Sequence, residues 1–97
     1  MLRLPDTLVH TTAAATLAEL LLAVRAEPSA NVAVDATALL RFDSTALAVL
    51  LELRRAALLA GKTLVLQGIP SRLSDLARLY GIDELLPVQG AVVPVNS

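Results

Sequence analysis

The chain has no cysteine and no tryptophan, and only one histidine, one phenylalanine and one tyrosine. Without cysteine there is no disulfide, no thiol nucleophile and no thiolate metal ligand, a composition that suits a reducing compartment. So few rings leave no platform on which nucleic-acid bases could stack. Charge of one sign is also missing: eight basic residues stand against nine acidic ones, for a net charge of −1. No electrostatic footprint for nucleic acid remains. The longest uncharged stretches, residues 7–18 and 85–97, fall short of the roughly 18–20 residues a membrane-spanning helix needs. Four threonines and a histidine break the first, and two prolines break the second. Pro5 and Asp6 interrupt any amino-terminal signal pattern at once.

What is abundant is aliphatic. Hydrophobic residues make up 56% of the 97 positions while aromatics make up 2%, so the core must be built from Leu, Val and Ala. Mean hydropathy is +0.68. A chain of this length holds one domain and one core, and its apolar surplus is either core or surface awaiting a partner.

Leu2–Leu4 and Thr7–His10 read as short strands around a Pro5-Asp6 turn. Thr11 or Thr12 caps a helix to about Ala26, with Leu17, Leu20, Leu21 and Val24 on one face, and Pro28 ends it. Asn31–Thr37 alternates like a strand. Ala46–Ala60 is a Leu- and Ala-rich helix closed by Gly61, and Lys62–Gln67 is the clearest strand of the chain. Ser71 caps a further helix, with Asp75 near its first turn and Leu73, Leu76, Ala77 and Tyr80 on one stripe before Gly81. A strand–helix–strand–helix centre implies parallel pairing with a right-handed crossover, and helices on at least one sheet face.

Enzyme readings fail on inventory. His10 has no neighbouring nucleophile or ligand cluster in the sequence, and Asp35 and Asp43 read as turn residues rather than a catalytic carboxylate pair. Gly61-Lys62-Thr63 imitates the end of a phosphate-binding loop, but Ala56 stands where the motif requires glycine. The element order, helix to strand, is also the reverse of what that motif needs. We therefore expect no catalytic residue, no metal and no cofactor.

The junction Leu40-Arg41-Phe42-Asp43-Ser44-Thr45 carries the most information. A side-chain oxygen of Asp43 or Ser44 can accept a free N–H of the following helix, so the Ser44 hydroxyl is either a plain cap or a switch. On a helical wheel Ala46, Val49, Leu50, Leu53, Ala57 and Ala60 form a sheet-facing stripe. Leu47, Leu51 and Leu58 gather on a different side, beside Ser44, Arg54 and Arg55. This second stripe is either covered by a neighbouring helix or is an anchor line for another protein, with Arg54 and Arg55 as its rim. A phosphate on Ser44 would suit the helix N-terminus, yet it would add charge beside Asp43 and disrupt an apolar contact.

Val34-Asp35-Ala36-Thr37, then Phe42-Asp43-Ser44, then Leu47-Ala48-Val49-Leu50-Leu51 resemble the signature of STAS domains, the fold of bacterial anti-sigma-factor antagonists. The later Leu64–Gly68, Leu76–Tyr80 and Leu85-Leu86-Pro87 are most similar to the MlaB-type branch. The resemblance implies an α/β fold, a STAS-like small mixed sheet with helices covering one face. It implies one domain over residues 1–97, best supported over 31–87, with 88–97 a flexible tail.

It further implies a non-enzymatic, cytoplasmic accessory subunit that binds the ATPase of a phospholipid-transporting ABC complex maintaining outer-membrane lipid asymmetry. Membrane association would come only through that complex at the inner membrane. The functional hydroxyl would fall on Ser44, with Asp43 beside it and Thr45 as a stand-in if the register shifts. The partner surface would run along the Ser44 helix and the next one, including Arg72, Asp75 and Arg78. The alternative is an anti-sigma-factor antagonist switched by phosphorylation of Ser44. Thr45-Ala46 departs from the small residue and glycine that usually follow the acceptor serine of such antagonists.

Overall fold

Period-two alternation sends Val32 and Val34 to one face of a strand, and Leu64 and Leu66 to the same face of another. In the computed structural model, which describes residues 2–86 and 88–89, these strands are β3 (Asn31–Asp35) and β5 (Thr63–Gln67). They pair parallel and in register along their whole length, Val32 opposite Leu64 and Val34 opposite Leu66. β1 (Leu2–Arg3) adds to the far side of β3, and β6 (Val88–Gln89) to the far side of β5. The result is a four-stranded sheet in the order β1-β3-β5-β6. Every described pairing is parallel. The expected tail begins with β6, and residues 90–97 lie outside the described residues.

β2 (Thr7–Leu8) does not pair with β1 across the Pro5-Asp6 turn. It pairs parallel with β4 (Arg41–Phe42), a strand the sequence hides inside the junction. The Asp6 carbonyl accepts the N–H groups of Leu40 (2.8 Å) and Arg41 (2.9 Å), which steers the chain from the main sheet to this second pair. A two-residue extended segment signals its conformation but not its partner. β3 also stops earlier than expected. The Asp35 carboxylate accepts the Thr37 N–H (2.9 Å) and hydroxyl (2.6 Å) and turns the chain out of the strand.

Three helices complete the α/β fold: α1 (Ala13–Ala26), α2 (Thr45–Leu59) and α3 (Ser71–Leu79). Thr12 occupies the cap position of α1, but its hydroxyl bonds back to the Val9 carbonyl and amide instead of the first helical turn. The far end of α1 is held by Lys62, whose ammonium donates to the carbonyls of Val24 (2.9 Å) and Glu27. The lysine that imitates a phosphate-binding motif is thus a helix-end clamp.

α2 packs on both α1 and β5. Its Ala46, Val49, Leu50, Leu53 and Ala57 are buried as the wheel predicts, while Ala60, at the frayed end beside Gly61, is exposed. On α3, Leu73 and Ala77 are buried, whereas Tyr80 leaves the expected stripe for the surface because the helix ends at Leu79. No helix among the described residues is long and apolar enough to cross a membrane.

One backbone position ties β5 to the loop after β3. Gly68 has φ +67°, and a Cβ there would stand 2.1 Å from Cγ2 of Thr37. Gly68→Ala should therefore cost about 2–3 kcal/mol in urea unfolding, from strain plus overlap. Gly61→Ala, at φ +72° with nothing within 4 Å, should cost about 1 kcal/mol. Adding Thr37→Ser to Gly68→Ala removes the clashing methyl and should recover part of the loss; no recovery would contradict this account.

Candidate protein-docking site

β4 delivers Phe42 and then Asp43 to the mouth of α2, where the first N–H groups have no i−4 carbonyl inside the helix to donate to. Asp43 accepts one of these donors and one from elsewhere in the chain. Its Oδ1 accepts the Thr45 N–H at 2.9 Å, and its Oδ2 accepts the His10 N–H at 3.2 Å, from the loop before α1. Hydrogen bonds from Thr45, then from the His10 amide, hold its carboxyl below the usual aspartate range.

Ser44 is the residue adjoining the helix, yet it makes no side-chain cap. Its backbone is already helical (φ −61°, ψ −17°), whereas a capping hydroxyl needs an extended backbone to reach back to the first turn. Asp43 is therefore the cap, and the Ser44 hydroxyl stands exposed with no hydrogen bond to the described residues.

Below that hydroxyl runs a shallow groove of about 380 Å³ between α2 and the chain leaving α3. Ser44, Ala48 and Leu51 form one wall, Tyr80 and Ile82 the other, and Leu47 also lines the groove. Gly81 reverses the chain after α3, and the Ile82 N–H returns to the Ala77 carbonyl at 2.9 Å. That bond fixes Ile82 opposite Leu51. Tyr80 remains 57% exposed, so a large amphipathic side chain borders an apolar trough. No group of three metal-ligating side chains occurs among the described residues.

Residues 1–87 match the family described as "Mlab, STAS domain". The chain belongs to the MlaB-type STAS domain family. No curated protein matches it significantly. Membership makes it a small accessory or regulatory domain, of a family that is generally non-catalytic and acts through protein–protein interaction.

Within this STAS domain the residues expected to form one docking line are dispersed. Leu47 is only 3% exposed, so it is the floor of the groove and not a projecting anchor. Leu51 is half-buried in the wall. Leu58 is 52% exposed but lies almost two turns beyond Leu51, outside the groove. Arg54 and Arg55 do not form one rim, because consecutive helical residues diverge by about 100°. Arg54 is half-buried, whereas Arg55 lines a different depression between α1 and α2.

On α3, the Arg72 guanidinium sits 5.1 Å from the centre of the Phe42 ring and donates to the Leu40 carbonyl at 3.2 Å. Arg72 and Asp75 line another depression with Phe42, Leu76 and Leu79. Asp75 also pairs with Arg78 at 3.8 Å on the exposed surface. Asp35 and Asp43 each serve their own turn, and His10 reaches Asp43 through its backbone and not its imidazole.

Sequence reasoning missed Ala48, Tyr80 and Ile82. Ala48 had a signal, being one turn below Ser44 on the same side of α2. Tyr80 and Ile82 had none, since only the packing of α3 brings them to α2.

The lowered carboxyls of Asp43 and Asp35, the latter held down chiefly by the Thr37 hydroxyl, predict an acid limb of stability. Their contribution is complete above the unfolded aspartate value of about 4 and is lost as pH falls through the lower folded values. Urea midpoints should drop on acidification below that point, and Asp43→Asn or Asp35→Asn should each flatten the drop. An unchanged slope in both variants would contradict the assigned hydrogen bonds.

Proposed function

We propose that this STAS domain is a non-enzymatic subunit that binds the ATPase of a phospholipid-transporting ABC complex maintaining outer-membrane lipid asymmetry. It would act in the cytoplasm, peripheral to the inner membrane through that partner. The family match supports the class of partner. The observation that carries the docking site is the Ser44 hydroxyl: exposed, relieved of capping by Asp43, and set at the head of an apolar groove.

In this reading a partner side chain enters between Leu51 and Ile82 and meets the Ser44 hydroxyl, while Asp43 and Thr45 hold the helix mouth in place. Tyr80 and Ala48 supply the near rim, and Leu58, Arg54, Arg72, Asp75 and Arg78 its outer surroundings. A subunit that binds one conformation of the ATPase more tightly raises the population of that conformation by its difference in affinity.

Ala48 and Ser44 are both exposed, so Ala48→Arg and Ser44→Glu leave the core untouched. Each should reduce co-purification with the transporter ATPase at least about tenfold, as truncation or blocking of a central contact does, while circular dichroism stays native. Undiminished recovery of both variants would overturn the proposed surface. The same free hydroxyl favours a second reading, an anti-sigma-factor antagonist switched by phosphorylation of Ser44. That reading expects stoichiometric phosphate on Ser44 after incubation with a cognate kinase and ATP. An unmodified Ser44 by mass spectrometry counts against it.

A further inference from the structure

A second groove, of about 310 Å³, runs between α1 and α2 and shares no residue with the Ser44 groove. Leu21 and Arg25 of α1 form one wall, and Glu52, Arg55, Ala56 and Leu59 of α2 the other. Its surface offers three features that the Ser44 site does not use. Leu59, in its lining, is 80% exposed. Ala56 and Ala60, one turn apart, keep the α2 wall low enough for another backbone to come close. The guanidinium groups of Arg25 and Arg55 make no ion pair or hydrogen bond with any described residue, and Glu52 is the single carboxylate in the groove.

We propose that this groove seats an acidic amphipathic helix of a partner protein. A trough between two packed helices runs along them, so the matching occupant is a third helix. Glu52 to Ala60 spans about 12 Å of helix axis, enough to hold two turns of it. Leucine-sized side chains of that helix fill the space between Leu21 and Leu59, and flanking carboxylates meet Arg25 and Arg55. A second copy of the chain fits poorly, because a two-fold contact sets the same patch against itself, and this patch carries two guanidinium groups against one carboxylate. A flat anionic bilayer fits poorly too, because the groove is recessed at Ala56 and Ala60 and holds Glu52. The inference does not depend on the Ser44 reading.

The test uses the full chain and a helix-stapled synthetic peptide of about 15 residues, long enough to hold its helix once stapled. The peptide has leucines on one face and glutamates flanking it, with a twin carrying lysines in place of the glutamates. In amide NMR the acidic peptide should shift resonances of residues 21–25 and 52–60. It should bind about tenfold tighter than the lysine twin at low salt, the sum of two exposed ion pairs gained against two repulsions. Arg25→Glu with Arg55→Glu, both at exposed positions, should reverse that preference without loss of helicity.

Absence of binding, equal binding of the twins, or shifts centred on Ser44 and Tyr80 would each overturn the proposal. So would concentration-dependent self-association through the α1–α2 face. Retention on phosphatidylglycerol vesicles that needs both arginines, without peptide binding, would replace the helix with a membrane surface.

Discussion

The rest of this structure depends on how α2 is seated. Six of its side chains, from Ala46 to Ala57, are buried, and the helix packs on α1 and β5. Leu50 and Leu53 alone contribute about 1.5–3 kcal/mol each by leaving water. An exposed leucine or an arginine pair offers nothing comparable, so burial sets the rotation of the helix about its axis. Once that rotation is fixed, everything else on α2 has its place. Ser44, Ala48 and Leu51 face the chain leaving α3, Glu52, Ala56 and Leu59 face α1, and Leu47 is carried beneath the surface.

The mouth of the helix shows a division of labour between neighbouring residues. Asp43 takes the capping role and joins the loop before α1 to α2 through the His10 amide. Ser44, with helical backbone angles, is left with a hydroxyl that no structural task consumes. A side chain freed in this way can be substituted at small cost to the fold, and it can be read by a partner. A similar economy governs Lys62. Its ammonium bonds carbonyls at the end of α1, and so it couples the start of β5 to the helix on which Arg25 sits.

Much of this architecture was legible in the chain itself. The alternation in Asn31–Asp35 and Thr63–Gln67, the Leu and Ala content of α2 and the glycines after α2 and α3 are local signals, and local geometry obeys them. The Asp-Ser junction and the leucine runs around it were enough to indicate the STAS family, which the match over residues 1–87 shows. The readings that failed share a cause. The pairing of β2 with β4, the partner of the Thr12 hydroxyl and the surface position of Tyr80 each depend on a segment far away or on where a helix stops.

The candidate site divides along the same line. The sequence by itself determined that α2 begins at a pair of oxygen-bearing side chains and presents more apolar surface than one sheet face can cover, because periodicity and composition are properties of a single helix. Tertiary structure alone decided that Asp43 is the cap, that Leu47 is floor, and that Tyr80 and Ile82 close the groove. It also separated Arg54 from Arg55, sending the latter to the α1–α2 groove. The reason is that a wheel gives the angles between side chains on one helix, while the neighbours that bury or expose each angle come from elsewhere in the chain.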